Sequence, residues 1–136
     1  MELEIIAITW QETIAVRQQV LWPDQPVAFC HVEGDEMAWH FGAYDAGWLI
    51  GVASLYPDGD SVRLRKFAVL ESHQGRGVGS ALLRHLLMIA KEKEVAEFWC
   101  DARETAIDFY RQFGLVPEGE RFYKADVAYF KMSRLV

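Results

Sequence analysis

The sequence contains few cysteines and no long apolar run. Cys30 and Cys100 are its only cysteines and form no Cys-x-x-Cys pair, so they provide neither a disulfide framework nor the ligand spacing of a structural zinc site. No apolar run approaches the roughly 20 residues that span a bilayer. The acidic start, Met1-Glu2-Leu3-Glu4, lacks the basic region of a secretory signal peptide. These features predict a cytoplasmic protein without a membrane partner.

Positive charge is also scarce. The chain has 14 lysines and arginines against 20 aspartates and glutamates, which gives a formal net charge of −6. Nucleic-acid-binding proteins usually present a basic face, so this balance argues against a nucleic-acid partner. It is compatible with a cationic small substrate, although most acidic proteins of this kind are simply soluble.

Apolar and aromatic residues are abundant. Half of the residues are hydrophobic (51%) and five are tryptophans, which argues against disorder. A chain of 136 residues can bury about two-thirds of its unfolded surface. The simplest organisation is one domain over residues 1–136.

Hydrophobic periodicity predicts strands and helices along the whole chain. Residues 3–8 predict a first strand, and Thr9 with Glu12 predicts a capping box that opens a helix ending before Pro23. Strands and helices are then expected at residues 39–44, 48–56, 61–70, 95–100, 115–121 and 127–135 (strands) and 79–93 and 103–113 (helices). This order predicts a mixed α/β (α+β) domain with a central, mostly antiparallel sheet, flanking helices and one parallel crossover.

The third strand of the expected meander contains an irregularity. Val62 and Leu64 share one parity, whereas Phe67 and Val69 share the other. If one face is buried throughout, the register must slip near Arg65-Lys66, as it does at a β-bulge. The alternative is that both faces are partly covered.

A glycine-rich loop follows this strand and opens the next helix. Its sequence is Gln74-Gly75-Arg76-Gly77-Val78-Gly79. Glycines at a strand-to-helix junction expose backbone N–H groups at a helix N-terminus, which favours anion binding. A phosphate-bearing ligand is the first hypothesis, and an ordinary glycine-rich connection without a ligand is the alternative.

Two nucleotide-binding signatures do not match this loop. The Gly-x-x-x-x-Gly-Lys-Ser/Thr run of a P-loop is absent. The dinucleotide fingerprint would need glycine where Ser80 stands. Asp101 could take the place of the ribose-binding acid of a dinucleotide-binding fold. However, an antiparallel meander precedes the loop and no second mononucleotide-binding half follows, which argues against that fold.

A third pattern does match. The loop resembles the Gln/Arg-x-x-Gly-x-Gly/Ala motif of the GCN5-related N-acetyltransferase (GNAT) superfamily, which stands between a strand and a helix. The downstream run Ala102-Arg103-Glu104-Thr105-Ala106-Ile107-Asp108-Phe109-Tyr110-Arg111-Gln112-Phe113-Gly114-Leu115 is similar to that superfamily's Ala-x-x-Phe-Tyr-x-x-x-Gly-Phe/Leu helix. The predicted strand order is similar to the GNAT architecture over essentially the whole chain.

The resemblance implies that acetyl-CoA is the acyl donor. Backbone groups around the bulge would pair with the pantetheine amides; in this sequence these groups belong to Phe67, Ala68 and Val69. Backbone N–H groups of the loop would hold the pyrophosphate, which falls on Gln74, Gly75, Arg76, Gly77, Val78, Gly79 and Ser80. Gly77 and Gly79 match the two motif glycines.

The resemblance also implies a catalytic acid. Tyr110 matches a tyrosine that, in many members, protonates the departing CoA thiolate, a reasonable task for a phenol. Its alternative is a core tyrosine on an apolar helical stripe. Arg103 is a departure, because many members carry asparagine there to bond a CoA amide; an arginine could reach a phosphate or face solvent.

The acceptor and the base are less defined by the sequence. Chemistry allows several bases: Glu33, Asp35, Glu36, His40, Glu71 and His73. The acidic trio at residues 33–36, with Trp22 and Trp39, could line a pocket for a cationic amine, or it could form a solvated turn. Cys30, His31 and His40 have no recognised metal-ligand spacing, and no metal is expected.

Acetyl transfer to a primary amine, by direct attack in a ternary complex, is the leading hypothesis. The acceptor is a small molecule or a peptide or protein amine, and a homodimer is left open. A non-catalytic acyl-CoA-binding or sensor domain with the same fold is the alternative, and a protein-interaction module is a third.

Overall fold

The computed structural model describes residues 1–136 and contains one seven-stranded sheet with the order β1-β2-β3-β4-β5-β7-β6. Every neighbouring pair is antiparallel except β4 and β5, which are parallel. The strands are β1 (Leu3–Ile8), β2 (Trp39–Asp45), β3 (Trp48–Asp58), β4 (Ser61–Val69), β5 (Glu97–Arg103), β6 (Val116–Lys124) and β7 (Val127–Leu135). The predicted mixed, mostly antiparallel sheet with one parallel pair is confirmed.

Three α-helices flank the sheet: α1 (Trp10–Leu21), α2 (Val78–Glu92) and α3 (Ile107–Arg111). Four short 3-10 turns complete the chain, at Val27–Cys30, Asp35–Met37, Glu71–His73 and Glu104–Ala106. None of the helices has the length and apolar character that crossing a membrane requires.

The helix predicted over residues 103–113 was too long at both ends. β5 extends to Arg103, because Ala102 and Arg103 still pair with Phe130 and Tyr129 of β7. A 3-10 turn then intervenes before α3. The end of β5, the 3-10 turn and α3 each place apolar residues toward the core. Together these residues mimic the apolar stripe of one longer helix.

The capping box is confirmed at the start of α1. The Glu12 N–H donates to the Thr9 hydroxyl over 3.3 Å, and the Thr9 N–H donates to the Glu12 carboxylate over 3.0 Å. These bonds satisfy two of the N–H groups that a helix start leaves free. The helix is thereby anchored where it lies against β3 and β4.

The helices form a layer on each face of the sheet. On one face, Val16 of α1 packs with Val52 and Ala68. On the other face, α2 contributes Leu82, Leu83, Leu86 and Ala90 to a core that also contains Leu55, Val62, Leu64 and Phe98. Helix α1 packs on β2, β3 and β4.

The predicted bulge in β4 is confirmed. Ser54 pairs with Arg65 and Val52 pairs with Ala68, so two steps along β3 match three along β4. Lys66, at the extra residue, has a φ of 55°, which L residues seldom adopt. The slip lets Leu64 and Phe67 face the α2 side while Arg65 and Ala68 face the α1 side.

Candidate functional site

A cleft opens where the two parallel strands separate. β4 and β5 pair only at Ser61–Glu97, Val62–Phe98 and Arg63–Trp99. Beyond these pairs β4 continues to Val69 and β5 continues to Arg103, and the two strands diverge. The edge of β4 over residues 64–69 therefore has no strand partner on its β5 side, and its backbone groups are available to a ligand.

The glycine loop lies at the far end of this unpaired edge. Gly75 and Gly77 have φ values of 71° and 84°, a conformation that favours glycine. The Gln74 side chain ties the loop to the strand by donating to the Val69 carbonyl over 2.9 Å. None of the N–H groups of residues 75–80 donates a hydrogen bond within the protein, so the loop has free donors for an external acceptor.

A pocket of about 300 Å³ lies over the loop. Its lining combines the loop with the end of β4 and with α3: Val69, His73, Gln74, Gly75, Gly77, Val78, Gly79, Ser80 and Phe109. The ring of Phe67 lies beside Phe109, with 6.2 Å between centroids. Free N–H donors at the N-terminus of α2 suit an anion such as a pyrophosphate.

A second cavity, of about 430 Å³, occupies the cleft between the strands. It is lined on the β4 side by residues 63–67, on the β5 side by residues 100–103, and also by Val20, Leu21, Ala106, Tyr110, Lys124 and Tyr129. Tyr110 thus lies in the cleft rather than wholly within the core. Arg103, which is exposed at the end of β5, lines the same cavity.

The chemistry of Tyr110 is set by its surroundings. Burial, together with the neighbouring Cys100 thiol, raises the pKa of the Tyr110 phenol, so it keeps its proton at neutral pH. Burial also raises the pKa of the Cys100 thiol to about 12. The cleft therefore contains a phenol that can donate a proton and a thiol that is not a ready nucleophile.

The candidate bases lie elsewhere. His73 donates from Nε2 to the Asp45 carboxylate over 2.9 Å, its Nδ1 accepts from the Ser72 hydroxyl over 2.8 Å, and the residue lines the loop pocket. His40 is buried, with 2.6 Å to the Ser54 hydroxyl and 2.8 Å to the Asp35 carbonyl, and burial lowers its pKa. Neither histidine lines the cleft between the strands.

Two carboxylates of the acidic segment before β2 are engaged in ion pairs. Asp35 is fully buried in an ion pair with Arg17 of α1, at 2.7 Å, and Glu36 pairs with the exposed His31 at 2.8 Å. Burial raises the pKa of Asp35, but the hydrogen bonds that Arg17, Tyr56 and the Val32 N–H donate to it outweigh this and lower it overall. Asp35 is therefore not available to line a pocket for a cationic amine, and that part of the interpretation was wrong.

The buried network around Arg17 was missed by the sequence reasoning. Arg17 also donates to the Cys30 carbonyl, the Ser54 hydroxyl and the Tyr56 hydroxyl. One feature of the sequence could have indicated it: Arg17 stands four residues after Thr13 and four before Leu21, on the face of α1 that packs on the sheet. A cation at such a position requires a buried partner.

No group of three or more histidine, cysteine, aspartate or glutamate side chains lies close enough together to hold a metal ion.

Comparison with known proteins agrees with this geometry. The acetyltransferase (GNAT) family model matches residues 4–115. YitI of Bacillus subtilis (strain 168), named as an uncharacterized N-acetyltransferase, is 31% identical over 88% of this chain and 87% of its own.

Solved structures share the fold. The ribosomal-protein-S18-alanine N-acetyltransferase of Escherichia coli has a TM-score of 0.81 at 20% identity, with 98% of this chain and 93% of that chain covered. A GNAT family acetyltransferase of Elizabethkingia anophelis, solved with acetyl-CoA bound, has a TM-score of 0.79 at 16% identity, with 99% of each chain covered. With its diverging parallel strands and glycine loop, this chain belongs to the acetyltransferase (GNAT) family and is an N-acetyltransferase.

Proposed function

We propose that the protein transfers an acetyl group from acetyl-CoA to a primary amine, by direct attack within a ternary complex. The observation that carries this proposal is the arrangement of three features along one cleft. Unpaired backbone of β4 borders it, free N–H groups of residues 75–80 lie at one end, and the Tyr110 phenol lines its middle.

The residues present fit acetyl-CoA. The unpaired edge at Phe67, Ala68 and Val69 can form strand-like hydrogen bonds with the pantetheine amides, as an added strand would. The loop, from Gln74 to Ser80, offers convergent N–H donors for the pyrophosphate. The open space around Gly75 and Gly77 leaves those donors accessible.

Tyr110 supplies the proton that the reaction needs. The amine nitrogen forms a bond to the thioester carbonyl carbon, and the carbon–sulfur bond then breaks. Tyr110 donates its proton to the departing thiolate, giving CoA-SH. The proton that leaves the amine as the amide forms passes to water, and water returns a proton to the Tyr110 phenolate. Burial raises the pKa of the Cys100 thiol, which supports direct transfer over an acyl-cysteine intermediate.

The first experiment tests the donor site with Gly79→Glu. Glutamate in the first turn favours the helix dipole, and Gly79 has a helical φ with ordinary space around its Cβ position, so the variant should fold. Its carboxylate would repel a pyrophosphate. In a thermal-shift titration, acetyl-CoA at a hundredfold excess over Kd should stabilise the wild type by about 2.7 kcal/mol and this variant far less.

Met88→Glu is the matched control, because it adds the same charge at an exposed position of α2. Equal responses of the two variants to acetyl-CoA would contradict the loop assignment. No response of the wild type would contradict the proposed donor.

The second experiment replaces Tyr110 with phenylalanine. Loss of a general acid lowers turnover by about 100-fold or more, whereas the aromatic packing and acetyl-CoA affinity should be retained. Release of CoA-SH with a panel of amines measures turnover, and a thermal shift measures binding. Unchanged kcat would remove Tyr110 from the mechanism, and a wild type that binds acetyl-CoA but never releases CoA-SH would favour a sensor domain.

A further inference from the structure

The charge of the cleft is opposite to the charge of the chain. The protein carries a net charge of −6, yet the 430 Å³ cavity is lined by five cations and one carboxylate. The cations are Arg63, Arg65, Lys66, Arg103 and Lys124, and the carboxylate is Asp101. A surface that is acidic overall but cationic in its cleft concentrates positive potential at one site.

Only some of these cations have an anionic partner. Asp101 pairs with Arg63 at 2.8 Å and with Lys124 at 3.4 Å. Arg65, Lys66 and Arg103 form no ion pair. The cleft therefore contains three cations that the protein itself does not compensate.

Aromatic side chains hold two of the uncompensated cations in place. The Arg65 guanidinium lies 5.1 Å from the ring centroid of Tyr56, and the Lys66 ammonium lies 4.7 Å from that of Trp22. The bulge places these consecutive residues on the same cavity wall. Their positions are thus fixed before any ligand binds, which lowers the entropic cost of binding.

Holding the cations there has an electrostatic cost. Burial and the nearby charges of Arg65, Arg17, Lys124 and Arg63 lower the pKa of Lys66 to about 8. Burial and Arg63 likewise lower the pKa of Arg65. A bound anion would remove this repulsion.

We propose that the amine acceptor also carries an anionic group, a carboxylate or a phosphate, and that Arg65 and Lys66 bind this group while Arg103 attracts it at the rim. This inference rests on the proposed acetyl transfer and names the class of its acceptor. It differs from the cationic acceptor that the sequence had left open as one possibility.

The cationic wall is separate from the loop pocket. The two cavities have no lining residue in common. Lys66 precedes the loop by eight residues of chain, and the intervening end of β4 alone spans roughly 10 Å at 3.3 Å per residue. The wall is thus placed for the acceptor end of the cleft rather than for the pyrophosphate.

The test uses matched acceptors on the intact protein. Amino acids are compared with their carboxamides, glucosamine 6-phosphate is compared with glucosamine, and 1,4-diaminobutane provides a cationic amine. Binding is followed by tryptophan fluorescence without acyl donor, because Trp22 lies against Lys66 and Trp99 lies against Arg63. Transfer is followed by release of CoA-SH.

Arg65→Ala and Lys66→Ala should each raise the Kd and the KM of the preferred anionic amine by about tenfold or more, as expected for a lost charged hydrogen bond. The Kd and the KM of the matched neutral amine should change by less than about twofold. Lys66→Arg should restore most of the affinity for the anionic amine. Arg84 is an exposed cation of α2 outside the cleft, so Arg84→Ala should leave the Kd and the KM unchanged. The comparison of amino acids with their carboxamides tests for a carboxylate, and that of glucosamine 6-phosphate with glucosamine tests for a phosphate.

Equal or tighter binding of the neutral twins or of 1,4-diaminobutane would overturn the inference. So would variants of Arg65 and Lys66 that weaken acetyl-CoA binding and leave acceptor binding intact, because the wall would then serve the donor. Failure of the wild type to bind acetyl-CoA contradicts the proposed function instead. The fluorescence titration distinguishes the two results, since it needs no acyl donor.

Discussion

Arg17 and Arg65 lie on the same side of the sheet and contact the same tyrosine, yet their surroundings differ. Arg17 donates to the Tyr56 hydroxyl over 3.3 Å and is fully buried against Asp35. Arg65 lies over the Tyr56 ring and has no carboxylate partner. One arginine is compensated inside the fold, and the other is left uncompensated at a cleft.

The difference follows from how much water reaches each side chain. A fully buried guanidinium without an anion would cost several kcal/mol, so the fold must supply one. A partly exposed guanidinium keeps some hydration, so the fold can tolerate it until a ligand arrives. A compensated cation therefore indicates structure, and an uncompensated one at a cavity wall indicates recognition.

The largest effect should come from breaking the buried pair. Arg17→Ala leaves the Asp35 carboxylate buried without its main partner, so the free energy of unfolding should fall by about 3–5 kcal/mol. Urea denaturation measures this loss. Arg65→Ala is the matched control and should change stability by less than about 1 kcal/mol; equal losses would erase the distinction between the two arginines.

The pH dependence of the buried pair gives a smaller, graded effect. The folded-state pKa of Asp35 is below the ordinary value of 3.8. Its contribution to stability is therefore complete above that value and is lost as the pH falls through the folded-state pKa. The stability difference between wild type and Asp35→Asn, measured by urea denaturation from pH 6 to pH 2, should shrink in acid. A constant difference would show that the ionised carboxylate is not what stabilises the fold.

The smallest effect should come from the cleft and have the opposite sign. Lys66 has a folded-state pKa of about 8 against an ordinary 10.5, so the unfolded chain binds more protons between these values and wild-type stability rises with pH there. Lys66→Met should therefore be more stable than wild type at neutral pH, by less than about 1 kcal/mol, because the ammonium stays partly exposed. Thermal melts should show this gain fading by pH 10.5; a loss of stability at neutral pH would mean that the Lys66 charge supports the fold.

Local pattern was enough for much of the fold. Thr9 and Glu12 predicted the start of α1, the change of parity between Leu64 and Phe67 predicted the bulge, and the glycines predicted the loop that precedes α2. Each depends on residues close together in sequence. The prediction of one long helix over residues 103–113 was wrong because Arg103 pairs with β7, a strand more than twenty residues away.

The sites at the glycine loop and Tyr110 were likewise predicted from sequence, through the resemblance of two local motifs, and their roles stay predictions. Local motifs could not predict which charged side chains form ion pairs. Asp35 pairs with a residue 18 positions earlier, and Asp101 pairs with one 38 positions earlier. Without those partners, the acidic trio and the overall acidic charge left a cationic acceptor open as one possibility.

The sequence by itself determined the order of the elements, the bulge in β4 and the loop with free N–H groups, because backbone conformation at those points depends on neighbouring residues. Only the tertiary structure decided that β4 and β5 diverge after Arg63 and that the cleft between them is cationic. The physical reason is that compensation of charge acts through space: a carboxylate stabilises a cation by being a few ångströms away, whatever the length of chain between them.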